Sequence, residues 1–465
     1  MARIDELAKK YPDIPRDLIV KWELWNRGVK DTDDLDKISI WKVIEGSYQN
    51  KFDEVTLKDL VARRPSRVQG DRILRPDAFF MKSSFNAPLV ISPGSPYSVR
   101  EVSENKFGLF EDEEQVDLEL YFPMPKPREG AEPLTSRGTP ISRLIKSPRS
   151  CFFIFPVRYC EYFATGDQCK FCNFNVGQED ARAIGLDRPV SENLEDTVEA
   201  YKIRTSEVRI VEGHFELGGF TSSDHEERIH TSFVEKIANA TSYKPNLSIL
   251  TEALSRKGLQ RLKDVGLDSM HIQMEVWDRV SFDASLPGKG KHCSYDRWLE
   301  FVSESVDILG KGNVACKTIG GISLVAGAHQ TWQEARDTHI DHIREMTKIG
   351  VLPSIGCLRL PVGSVWGDDH EAALRKKLPP TEYYLDLFGP HDEAMEADGM
   401  YEKLNKLMYC GLDCCHSLYA GDVGIFKKAG DWGHYMQDTV PDKVNWTLHW
   451  LKEIQEKAAV SGTGQ

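Results

Sequence analysis

After residue 150 the chain settles into a repeating order of apolar run, connection, helix-length segment and next apolar run, and this order constrains the fold more than any other feature. The strand candidates are CFFIFPV at 151–157, EVRIVE at 207–212, NLSIL at 246–250, MHIQMEV at 270–276, NVACKTI at 313–319 and LPSIGCLRL at 352–360. Between them HEERIHTSFVEKIANA, SRKGLQRLKDVG, YDRWLEFVSESVDILG and QEARDTHIDHIREMTKIG carry apolar residues at helical spacing. Strands alternating with helices predict an α/β protein with a parallel sheet, and six such units fit a partial barrel, (β/α)6. In such a barrel functional side chains gather at the carboxyl ends of the strands.

The texture changes on either side of this core. Residues 1–149 read as an N-terminal accessory region, 150–365 as the barrel and 366–465 as a cysteine-containing, helical C-terminal extension. In the first region DELAKKY and PRDLIVKWELWNRG predict short helices in which Trp22 and Trp25 are packing anchors, and VDLELYF predicts a strand. The preceding EDEEQ run is a solvated acidic turn, without the spacing of a calcium loop. The terminal VNWTLHWLKEIQEKAA predicts a supporting amphipathic helix.

A net charge of -13 over 465 residues argues against a nucleic-acid partner. No apolar stretch approaches the roughly 18 to 20 residues that cross a bilayer, so no membrane partner is expected. The first residues, MARIDELAKKYPDIP, lack the apolar centre of a secretion signal and predict a cytoplasmic protein. In that compartment ten cysteines point to metals and free thiols more than to disulfides.

Three of those cysteines follow the first strand in RYCEYFATGDQCKFCNFN: Cys160, Cys169 and Cys172, a Cx8CxxC spacing with Phe171 inside the tight pair. Three thiolates can hold a four-iron cluster and leave one iron open to a cofactor, whereas a cluster held by four usually moves electrons. The same pair serves a structural zinc site if a remote residue such as His214 supplies the fourth ligand.

This segment and the strand order resemble the radical S-adenosylmethionine superfamily with its partial TIM barrel, and the later segments GLQRLKDVGLDSMHIQMEVWD and LRLPVGS resemble its biotin synthase-like subgroup. The spacing is expanded from the common CxxxCxxC. The resemblance implies a [4Fe-4S] cluster on Cys160, Cys169 and Cys172, S-adenosyl-L-methionine chelated to the open iron, and a one-electron donor such as flavodoxin or ferredoxin. It implies a 5'-deoxyadenosyl radical that abstracts hydrogen from a small metabolite, leading to rearrangement, carbon-carbon bond chemistry, methyl transfer or sulfur insertion. The alternatives are a 3-amino-3-carboxypropyl radical, a zinc hydrolase, and a non-radical iron-sulfur electron-transfer or scaffold protein.

Cofactor contacts are expected at the strand ends. Phe171 lies within the cysteine pair, and Glu212 and Gly213 are placed just after the second strand, where GH stands in for the family's double glycine. Gln273 and Glu275 fall on one side of the fourth strand and suit a ribose or methionyl group, with a polar brace as the alternative. Lys317 on the fifth strand suits a carboxylate or leans to solvent, and Arg359 on the sixth is available to a carboxylate or substrate. His214 could meet substrate or satisfy a local carbonyl, and the LPGKGK loop reads as a solvated turn. Cys410, Cys414 and Cys415, followed by His416, could ligate a second iron-sulfur cluster or remain free thiols.

Overall fold

The computed structural model describes residues 2–38, 42–43, 68–69, 72–74, 78–81, 86–104, 106–120, 132–146, 151–183, 189–207, 212–242, 244–369 and 371–403. The calls on Cys410, Cys414, Cys415, His416 and the terminal helix lie outside the described residues.

Six parallel strands form the centre of the molecule. They are β1 (Cys151–Val157), β2 (Glu212–Leu217), β3 (Asn246–Thr251), β4 (Ser269–Glu275), β5 (Val314–Gly320) and β6 (Leu352–Cys357), paired in chain order. A short antiparallel strand, Ile145–Lys146, covers the free edge of β1. The sheet is an open, partial TIM-type barrel of six βα units.

The helices α1 (Leu194–Glu207), α2 (Ser223–Ala238), α3 (Arg256–Asp264), α4 (Pro287–His292), α5 (Tyr295–Leu309) and α6 (Trp332–Ile349) lie in the connections between strands. Their ends are written in the sequence. Thr331 and Glu334 form a reciprocal capping box that starts α6, and Gly350, at φ 94°, ends it. Alternation along each strand sends one set of side chains to the helices and the other to the inner face. Phe152 packs its ring 5.2 Å from that of Tyr201 on α1, and Met270, Ile272 and Met274 join the same apolar core. The inner face receives Phe153, Glu212, His214 and His271.

Five of these strands coincide with the apolar runs of the sequence to within a residue or so at their starts. The described part of the sixth, β2, runs from Glu212 to Leu217, so Glu212 and Gly213 lie within the strand and not after it; residues 208–211 of the run expected there lie outside the described residues. Gly213 is needed for packing: a Cβ there would come within 2.1 Å of the Phe152 ring.

The N-terminal helices Arg3–Lys10 and Arg16–Arg27 share a core with the helices Thr381–Leu385 and Phe388–Ala397. Trp22 stacks on Tyr384 at 5.0 Å and meets Trp25 at 4.9 Å and Phe388 edge-on at 6.3 Å, so both tryptophans are packing anchors. The acidic run is a hairpin tip: Asp112, at φ 49°, and Glu113 join strands Lys106–Glu111 and Glu114–Leu120, and Arg100 pairs with Glu113 at 2.7 Å. No described helix is long and apolar enough to cross a membrane.

Candidate functional site

The segment carrying the three cysteines lies across the C-terminal edge of the parallel sheet, held there mainly by main-chain hydrogen bonds. Glu161 N donates to the Gly219 carbonyl beyond β2 at 2.8 Å, and Lys170 N donates to Ser285 O beyond β4 at 3.0 Å. From beyond β6, Trp366 N donates to Lys170 O at 2.8 Å, and the Asn173 side chain reaches Val362 O at 3.1 Å. Asn175 reads both backbone groups of Cys160, accepting from its N–H and donating to its carbonyl, each at 2.9 Å. These ties fix the loop independently of its sulfurs.

Close approach of the loop demands glycine on β2's far end. A Cβ on Gly218 would stand 2.1 Å from the Tyr159 carbonyl oxygen, and one on Gly219 would stand 2.5 Å from the Tyr162 ring and 2.8 Å from Glu252 Oε1. A glycine pair is therefore required at 218–219, five residues beyond the GH at 213–214. ELGGF was the signal that could have located it.

Cys160 is buried against Tyr162 and Phe174, with Cys172 packed on the same cluster, and Cys172 N donates to Cys169 O at 2.9 Å in a tight turn. Burial pushes the Cys160 thiol up to about 11 and the Cys172 thiol up to about 12, and lifts Cys169 well above its usual value. Such thiols become thiolates when a bound cation replaces the lost hydration. Phe171 faces Trp366 with ring centroids 6.3 Å apart, an aromatic flank to the loop.

Lys289 is the cation at the centre of this site, and sequence reading missed it. LPGKGK is no solvated turn: Pro287 opens α4, whose Lys289 is buried with its Nζ 3.8 Å from both Glu252 Oε1 and Glu275 Oε1. The ammonium also donates to the Gln273 carbonyl. Burial alone would lower its pKa, but Glu252 and Glu275 outweigh that and hold it charged. The same charge opposes the rise of the Cys169 thiol. Burial keeps the Glu252 carboxyl above the ordinary range, against the pull of Lys289, and the Tyr162 hydroxyl lies between that carboxyl and Phe220 O.

Glu275 is one of two non-glycine residues at positive φ among the described residues, at 67°. The β4 register slips between Ile272 and Glu275, so Gln273 and Glu275 are not simple alternating neighbours. Glu275 Oε2 is buried and has no hydrogen-bond partner among the described residues. A costly backbone conformation and an unsatisfied carboxylate oxygen at one residue mark a place built for a ligand.

The remaining candidates divide. Gln273 and Lys317 are half-buried; Thr318 bonds His339 of α6 at 3.0 Å, which leaves Lys317 for the inner face. Arg359 instead donates to Asn26 O of the N-terminal helix at 3.2 Å and ties that region to the barrel. Glu212 and His214 lie on the inner face, away from the cysteine loop.

No family model matches this chain, and neither does any curated protein. Some solved structures are similar to it over part of the chain. Methylornithine synthase is 14% identical over 53% of this chain and 68% of its own, with a TM-score of 0.36. The FeFe-hydrogenase maturase HydG from Carboxydothermus hydrogenoformans is 14% identical over 68% and 80%, with a TM-score of 0.35. Coproporphyrinogen III oxidase from Escherichia coli, described as a radical SAM enzyme, is 12% identical over 56% and 55%, with a TM-score of 0.32. The chain resembles the radical S-adenosylmethionine enzymes. That resemblance rests on its own cysteine spacing and strand order.

Proposed function

We propose that this protein is a radical S-adenosylmethionine enzyme acting on a small metabolite. The observation that carries the reading is the docking of a three-cysteine loop onto the ends of β2, β4 and β6, beside a buried Lys289 and two carboxylates. Cys160, Cys169 and Cys172 would hold a [4Fe-4S] cluster, and the donor set fits: three sulfurs, one short of closing a four-iron core. When bound, cluster and S-adenosyl-L-methionine supply a 5'-deoxyadenosyl radical through one-electron reduction by a donor such as flavodoxin or ferredoxin.

The protein's own share is to bind, orient and exclude water. Glu275, through its unsatisfied Oε2, and Glu252 are placed to accept from the cofactor's ammonium. Lys289 pairs with both carboxylates at 3.8 Å, and its charge opposes the rise of the Cys169 thiol. Gln273 and Lys317 would approach from the inner face, and Phe171 with Trp366 would shield one side. The expected outcome for the substrate is hydrogen abstraction followed by rearrangement, carbon-carbon bond chemistry, methyl transfer or sulfur insertion, in the cytoplasm.

Anaerobic reconstitution tests the reading at its base. About four iron and four sulfide per site, with an electron paramagnetic resonance signal that changes on adding S-adenosylmethionine, are expected. A filled cluster whose signal ignores S-adenosylmethionine would return the chain to electron transfer, and stoichiometric zinc would return it to a zinc site.

A further inference from the structure

A second group of ligand-competent side chains lies on the inner face, in the first halves of the strands. Glu212 and His214 of β2 and His271 of β4 are all buried, and one ligand atom from each lies within 4.8 Å of the others. His214 Nε2 is 3.2 Å from Glu212 Oε1, and the two imidazole centroids are 5.4 Å apart. Strands β2 and β4 are separated by β3, about 9.6 Å of sheet. On β3 the residue in register with His214 is the small Ser248, and the one in register with His271 is Leu250. Phe153 stacks on His214 at 4.9 Å with a 14° interplanar angle and fixes the plane of that ring.

From this convergence we infer that Glu212, His214 and His271 bind one divalent transition-metal ion of the zinc or ferrous class. Two imidazole nitrogens and a carboxylate oxygen form a donor set that suits those ions and leaves coordination positions open, whereas magnesium and calcium prefer all-oxygen shells. The Ser248 hydroxyl, fully buried beside His214 in register and without a hydrogen-bond partner among the described residues, is an independent sign of a missing neighbour. It would bond a ligand or water in an open position of the ion. The site is separate from the cysteines: His271 precedes Glu275 by four residues, roughly 13 Å of strand. It needs no cluster.

The test uses the full chain with Cys160, Cys169 and Cys172 replaced by alanine, freed of metal and titrated with Co2+. One equivalent should bind, with weak visible bands and no sulfur-to-cobalt charge transfer, and a His271→Ala change should lower the affinity at least 100-fold. Charge-transfer bands, or binding that survives His271→Ala, would overturn the inference. Because that variant could fail to fold, zinc X-ray absorption on the chain with both histidines intact provides an independent reading. A shell of nitrogen and oxygen with two imidazoles supports the site; a sulfur shell, or no bound zinc, contradicts it.

Discussion

An aromatic core and a charged edge of this molecule solve opposite problems. Where Trp22, Tyr384 and Phe388 meet, apolar surface is packed away, and Glu23 accepts from Tyr97 at 2.9 Å and from Thr381. At the C-terminal edge of the barrel, thiols, an ammonium and two carboxylates are buried together, and one carboxylate oxygen is left unsatisfied beside a positive-φ backbone. The core leaves a neutral indole N–H, Trp22 Nε1, without a partner among the described residues; the edge leaves a carboxylate oxygen so, which costs far more unless something binds there.

The sharpest way to break this comparison is at the cysteines. Cys169→Ala with Cys172→Ala should abolish iron uptake at this loop and radical formation, a loss of more than about 100-fold. The melting temperature of the metal-free protein should barely move, because the loop is held by backbone bonds; a collapse of the fold would show that its thiols act as core residues.

Lys289→Met comes next. It strands Glu252 and Glu275 without their shared cation, and removing one partner of a buried ionic group costs roughly 3 to 5 kcal/mol. The site should lose its ability to take up iron, measured by reconstitution; unchanged uptake would deny Lys289 its role. Trp22→Ala should cost a similar amount, about 3 to 5 kcal/mol in denaturant unfolding, yet leave iron content per folded chain intact. The two variants thus separate by what they spare.

A gentler probe is pH. Burial holds His339 down to about 3 and His391 down to about 4, so both are neutral in the folded chain. Their unfolded counterparts titrate near 6.5, and between that value and about 4 the unfolded state binds more protons. Their contribution to stability should be level above pH 6.5 and fall on acidification below it, at up to roughly 1.4 kcal/mol per pH unit for each histidine. A His339→Gln variant should flatten that slope in urea titrations; an unchanged slope would place the acid sensitivity elsewhere.

How far the sequence disclosed all this depends on which forces wrote each element. The strand at 151–157 and the helices of the later units are periodic apolar patterns, and they stand where the pattern puts them. The second strand was read as ending at Glu212 because EVRIVE alternates like a strand, whereas EGHFEL, its described part, turns a carboxylate and an imidazole inward and looks like a loop. The glycine pair at 218–219 was passed over with it. Lys289 was hidden for a different reason: Glu252, just after β3, and Glu275, at the end of β4, reach a lysine in an apparently solvated turn only once the chain is folded. Arg359 was legible as a cation available to a carboxylate but not in its direction, since the Asn26 carbonyl to which it donates lies 333 residues earlier.

The most direct test of the central claim is S-adenosylmethionine cleavage by the anaerobically reconstituted, dithionite-reduced protein, followed by mass spectrometry beside the Cys169→Ala/Cys172→Ala variant. The account predicts 5'-deoxyadenosine from the parent protein and none from the variant. Methylthioadenosine in its place would reassign the bond that breaks, and no nucleoside from a protein with a full cluster, with or without candidate metabolites, would contradict the account.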